Sequence, residues 1–159
     1  MSQIPGPSGW TDGMERVSRP VAQARLTYDC VATIYDLAEN PFEYRARSRA
    51  LELLAARPGE RILEIGPGTG HALVALARGV GPARQVIGAD LSARMLARSR
   101  RRAARAGCAS RIRLIQGDAH RLPLRAGRFD AVFMTFVLKL IDTPQIPVVL
   151  GECRRVLRP

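Results

Sequence analysis

The sequence predicts an α/β domain built on a parallel sheet, and three observations predict it. Beyond residue 60, short apolar runs alternate with stretches whose apolar residues recur every three or four positions. That order gives parallel strands joined by right-handed helical crossovers. The first apolar run ends in closely spaced glycines, and the fourth, Phe129 to Thr135, is apolar nearly throughout, as a strand covered on both faces should be. With 159 residues, 47% hydrophobic and 25% charged, the chain has room for one soluble domain with a real core.

Residues 1–20 hold Pro5, Gly6, Pro7, Gly9, Gly13 and Pro20 with little apolar periodicity, so a flexible leader is expected, followed by one domain over 21–159. Two helices should open that domain. The first carries Val21, Ala24, Tyr28, Val31, Ala32 and Tyr35 at helical spacing and is broken at Asn40-Pro41. The second spans about Phe42 to Arg57, with Ala46, Ala50, Leu51 and Leu54 on one face, and ends at Pro58-Gly59. Arg61–Ile65 reads as the first strand and Gly70–Arg78 as the helix after it. Gln85–Asp90 is the second strand. Ser92 can cap the next helix by accepting from a free backbone N–H, and Gly107 stops it. Arg111–Gln116 is the third strand and Phe129–Thr135 the fourth. A last helix, about Gln145 to Leu157, presents Ile146, Val149, Leu150, Cys153, Val156 and Leu157.

The segment Leu63-Glu-Ile-Gly-Pro-Gly-Thr-Gly70 carries the strongest chemical signal. Glycines between a strand and a helix allow a sharp turn and close approach to a ligand, and the free N–H groups of the helix favour a negative group. A dinucleotide site wants G-x-G-x-x-G around a pyrophosphate. Here Gly66, Gly68 and Gly70 form G-x-G-x-G, and His71 stands where the third glycine would be. Asp90 closes the second strand, 24 residues after Gly66, near the ~20-residue spacing at which a carboxylate can accept from ribose hydroxyls. The competing reading of Asp90 is a cap on the helix that begins near Ser92.

Leu63–Gly70 resembles motif I of the class I S-adenosylmethionine (SAM) dependent methyltransferases. The resemblance implies a Rossmann-like parallel sheet of that type and SAM as cofactor, with Gly66, Gly68 and Gly70 wrapping its methionine end. Glu64 resembles the acidic strand residue that supports the loop or the SAM amino group. Gln116-Gly-Asp-Ala-His120 is similar to the adenine-contacting loop, so Asp118 would accept from the exocyclic amine and the Ala119 N–H would donate to a ring nitrogen. Leu91 and Met95 are placed to pack on the adenine, with ordinary helix packing as the alternative for Met95. Phe129–Phe136 resembles the fourth strand, which places Thr135 and Phe136 near the methyl group. The paired Tyr28-Asp29 and Tyr35-Asp36 resemble the N-terminal helix of the ubiquinone and menaquinone methyltransferases, where a tyrosine closes over SAM. Tyr35 is the expected counterpart, unless it is only a packed aromatic.

Those relatives and their many small-molecule kin imply methyl transfer to a small molecule's O, C or N atom. Much of the catalysis can then be alignment, because a sulfonium methyl is already activated. No catalytic residue is assigned; His71 and His120 could serve as bases but read more simply as structural or solvent-facing. Cys30, Cys108 and Cys153 form no C-x-x-C pair, and no metal is expected.

The net charge is +11, the single lysine is Lys139, and Arg94–Arg105 is the densest basic stretch. That balance points toward nucleic acid or anionic partners, although a solvated helix face is the simpler reading of the run. Base N-methyltransferases usually carry an (Asn/Asp)-Pro-Pro-(Tyr/Phe) signature where this chain has Met134-Thr-Phe-Val137, which argues against methylation of a base amino group. RNA-directed methylation and a non-catalytic SAM-binding module remain the alternatives. No apolar run is long enough to span a membrane and no secretory signal is evident, so the expected location is cytoplasmic.

The chain stops at Arg158-Pro159, where the resemblance implies further strands. The expected sheet is therefore incomplete, with strands one to four present and five to seven missing. Strand four would then be an exposed edge through which a homo-oligomer could form.

Overall fold

The protein is described by a computed structural model that covers residues 41–159. The expected leader, the first N-terminal helix, Cys30 and Tyr35 lie outside the described residues. From Pro41 onward the chain runs α1 (Pro41–Leu54), β1 (Ile62–Ile65), α2 (His71–Gly79), β2 (Val86–Asp90), α3 (Ala93–Arg105), β3 (Ile112–Gln116), β4 (Ala131–Met134) and α4 (Ile146–Val156). Every predicted element from the second helix onward is present, with ends moved by a few residues.

The four strands form one parallel sheet in the order β3-β2-β1-β4. Central β1 pairs with β2 through Leu63↔Ile87 and with β4 through Glu64↔Phe133. All four of its residues are buried, as a strand with neighbours on both sides and helices on both faces requires. Alternation along β1 sorts the core into two layers. Ile62 joins Leu73, Leu76, Val80, Val86 and Phe133 beneath α1 and α2. Leu63 and Ile65 join Phe129, Val149, Cys153 and Val156 beneath α4.

Local chemistry sets the helix ends. Ser92 caps α3 as expected: its hydroxyl accepts from the Met95 N–H at 3.2 Å. Gly107 follows α3 with φ +66°, a left-handed turn that a side chain would resist. Gly88, in the middle of β2, leaves room for Leu73 of α2, whose methyls would lie 3.2 Å from an added Cβ.

Two sequence expectations need correction. Helical spacing puts Leu150 on the apolar face of the last helix, yet it is 48% exposed. Val149, Cys153 and Val156 define the stripe that meets the sheet, and Leu150 sits about 100° around the helix from Val149. The fourth strand is also shorter than its apolar run. Phe129 bridges to Leu157 instead, donating to the Val156 carbonyl and accepting from the Arg158 N–H. The outer side of the β4 approach is thus partly satisfied by the chain leaving α4. Asp130 fastens the same corner: it accepts from the Arg61 N–H at 2.7 Å and pairs with Arg158. That backbone bond, first among the causes, holds its pKa below the ordinary carboxylate value.

Candidate functional site

A cleft of about 550 Å³ opens where the strands end. In a parallel sheet with this reversal of strand order, that crevice is where ligands bind. Its floor is the loop after β1. Gly66, with φ +65°, donates its N–H to the Ala89 carbonyl at 2.8 Å, so the loop turns back over the neighbouring strand. Gly68, with φ +53°, has no atom within 4 Å of where a Cβ would stand, and the backbone there is open to an approaching group.

Gly70 serves the packing of two helices. It does not line the cleft. A Cβ on Gly70 would lie 2.9 Å from the Ser99 Cα and Oγ, so this glycine lets α2 start hard against α3. Two α3 side chains hold the loop from behind. The buried Ser99 hydroxyl donates to the Gly68 carbonyl at 2.9 Å, and Arg102 Nε donates to the Thr69 carbonyl at 2.8 Å. Neither residue was singled out from the sequence. The available signal was a serine on the apolar face of a predicted helix, with an arginine one turn later.

Asp90 performs two tasks at once. Its Oδ1 accepts from the Ser92 N–H at 2.9 Å and its Oδ2 accepts from the Gly68 N–H at 3.3 Å. The helix cap itself is Ser92, so Asp90 steadies the turn that leads into α3, and the same carboxylate also lines the cleft. A carboxylate offers about four lone-pair sites, so two backbone bonds leave capacity for a ligand.

Glu64 is strongly perturbed. It is 2% exposed, and its Oε2 has no hydrogen-bond partner among the described residues. Burial pushes its pKa up from 4.5 to about 8; the positive charge of Arg47 opposes this and Asp90 adds to it. Arg47 comes from α1 and also lines the cleft, a neighbour that no spacing in the sequence announced.

Past β3, the Gly117 N–H donates to the Asp90 carbonyl at 3.0 Å and the Gln116 amide to the Leu91 carbonyl at 3.0 Å. These bonds set Asp118 and Ala119 beside Leu91 and Met95 on the cleft wall. Asp118 Oδ1 accepts from the His120 N–H at 2.9 Å and lies 2.6 Å from His120 Nδ1. Met95 is buried yet also lines the cleft, so helix packing and ligand contact do not exclude each other. On the β4 side, Thr135 and Phe136 continue the wall. Phe136 is strained, with φ +61°, and Lys139 Nζ lies 4.8 Å from its ring centroid.

The cleft therefore gathers Glu64, Gly66, Gly68, Asp90, Leu91, Met95, Asp118, Ala119 and Thr135 from the expected set. His71 and His120 line it too. Among the described residues no cluster of His, Cys, Asp and Glu is arranged to hold a metal, and no helix is long and apolar enough to cross a membrane.

A family model described as a methyltransferase domain matches residues 62–159. A 2-phytyl-1,4-naphtoquinone methyltransferase of Synechococcus elongatus is 35% identical over 136 residues, which is 83% of this chain and 58% of that protein. A ubiquinone/menaquinone biosynthesis C-methyltransferase of Stutzerimonas stutzeri is 35% identical over 146 residues, or 89% of this chain and 56% of that one. The chain spans about half the length of the curated relatives it matches. Among solved structures, a SAM dependent methyltransferase from Aquifex aeolicus aligns with TM-score 0.67 and 21% identity, over 80% of this chain and 68% of that one. The [4+2]-cyclase SpnF aligns with TM-score 0.73 and 24% identity, over 91% and 59%. These two likenesses speak for the fold.

Proposed function

This chain belongs to the class I SAM-dependent methyltransferases, and from that premise we propose that it binds SAM in the cleft and moves its methyl group to a small-molecule acceptor. SAM supplies a methyl on a positively charged sulfur, already activated for attack. The observation that carries the reading is the buried Glu64 carboxyl with an unpartnered oxygen beside an open glycine backbone. A buried polar atom without a partner is costly, and an ammonium group would satisfy it.

In this reading each wall of the cleft has one task. Glu64 receives the amino group at the methionine end, while the Gly66–Gly68 backbone lets that end come close. Asp90 keeps two backbone bonds and accepts from a ribose hydroxyl with its remaining lone pairs. Asp118 accepts from the adenine amine, the Ala119 N–H donates to the ring, and Leu91 and Met95 supply apolar contact to its faces. Thr135 and Phe136 sit on the acceptor side. Alignment of acceptor and methyl is the main contribution asked of the protein, and no side chain is assigned as a base.

The named activities of the Synechococcus and Stutzerimonas relatives support a quinol-like aromatic acceptor. The test is formation of S-adenosylhomocysteine from SAM with naphthalene-1,4-diol and simple phenols as acceptors. Turnover with one of them supports the reading; cofactor binding without turnover on any favours a SAM-binding module. That second reading has its own support, because the cyclase likeness associates the fold with a protein named for another reaction. The RNA reading loses support at α3, where Arg94, Arg98 and Arg102 all have partners within the protein.

A further inference from the structure

The β4 end of the cleft carries a set of contacts that cofactor binding does not use. Strand β4 lies on the opposite side of β1 from β2 and β3. Residues that follow it therefore wall the end of the cleft away from Asp90 and Asp118. Phe136 stands there with a left-handed backbone, φ +61°. A bulky residue keeps such a conformation only where its surroundings fix it. Here Lys139 Nζ lies 4.8 Å from the Phe136 ring centroid and donates to Glu43 Oε1 of α1 at 2.8 Å. All three side chains belong to residues that line the cleft, next to the apolar Leu140 and Ile141.

Resting on the methyl-transfer reading above, we propose that Phe136 forms the acceptor-facing wall and that Lys139, gripped by Glu43, is the positioning residue that holds its ring in place. The ion pair is half-exposed on the lysine side, at 46%, so its role is geometric. A lysine side chain has many rotamers, and the Glu43 carboxylate selects the one over the ring. The ring then offers an apolar surface to a flat acceptor, and the ammonium favours one that carries electron-rich oxygen.

The single lysine makes the test specific, because lysine-labelled protein gives one ε-methylene signal. That signal should lie upfield of free lysine and return toward it in Phe136→Leu. In the chain saturated with S-adenosylhomocysteine, titration with naphthalene-1,4-diol should move it saturably. Lys139→Met should weaken the diol about fivefold or more, with Lys139→Arg restoring most of the loss and nucleoside affinity unchanged in both. Diol binding that leaves the signal still, diol affinity unchanged in Lys139→Met, or equal loss of diol and nucleoside overturns the proposal. So does absence of diol binding to the loaded wild type. Failure of the wild type to bind S-adenosylhomocysteine overturns the underlying cofactor reading as well, and calorimetry without the diol separates that outcome from the others.

Discussion

The hydroxyl of Ser99, fully buried on α3, donates to the carbonyl of Gly68 across 2.9 Å and so holds the glycine loop from its hidden side. Removing the donor leaves a carbonyl without its partner while keeping the packing nearly unchanged. Ser99→Ala should therefore cost about 1–2 kcal/mol of stability. It should also weaken the cofactor severalfold, since the loop loses one of its two supports from α3. Thermal unfolding and calorimetric titration measure the two effects.

Gly70 should be less replaceable than Gly68 for folding. Its φ is +85°, and an added Cβ would meet the Ser99 backbone at 2.9 Å, where nothing flexible can yield. Gly70→Ala should lower stability by about 2 kcal/mol or more, from left-handed strain and overpacking together. Gly68→Ala meets no neighbour, so it carries the strain alone and should unfold at a higher temperature than Gly70→Ala.

Glu64 should couple cofactor binding to a proton. Its pKa is raised from 4.5 to about 8 by burial, so it is largely protonated at pH 7. Binding of an ammonium group at that carboxyl favours the ionised form and releases the proton. Titrations in buffers of different ionisation enthalpy should show a release approaching one proton near pH 7, vanishing well above pH 8. Glu64→Gln should abolish it. The linked stability has a definite sign. The folded state holds the proton more tightly than the unfolded chain, so ligand-free stability declines as pH rises from 4.5 toward 8. Glu64→Gln should flatten that decline.

Glu152 provides the control, a structural carboxylate away from the cleft. It accepts from the buried Leu122 N–H at 2.9 Å and from Arg155, which in turn donates to the Leu122 and Leu124 carbonyls. The Arg155 bond, its largest influence, keeps its pKa below the ordinary value. Glu152→Ala should cost about 1–3 kcal/mol by stranding those groups and leave cofactor affinity unchanged.

Much of this architecture was legible in the sequence because it depends on local rules. The switch from helical to strand periodicity located β1, the Ser92 hydroxyl marked the start of α3, and the glycine run marked the cleft. What escaped depends on contacts between distant segments. Arg47 comes beside Glu64 only because α1 packs near β1, and Ser99 reaches Gly68 only because α2 and α3 lie together. Lys139 was visible as the single lysine, but its link to Glu43 joins residues far apart in the chain. The exposure of Leu150 does not follow from periodicity, which shows which residues are apolar; the register of α4 on the sheet decides which of them are covered. Tyr35 lies outside the described residues, and its contribution stands as an expectation.

Whether the cleft binds SAM through Asp90 and the glycine loop is decided by calorimetric titration of SAM into the wild-type chain and into Asp90→Ala. Saturable one-to-one binding by the wild type is expected, weakened at least about tenfold in the variant, with both proteins unfolding cooperatively. A cooperatively folded wild type that takes up no SAM, or an Asp90→Ala protein that binds it with undiminished affinity, would mean that the cleft does not hold SAM in this way.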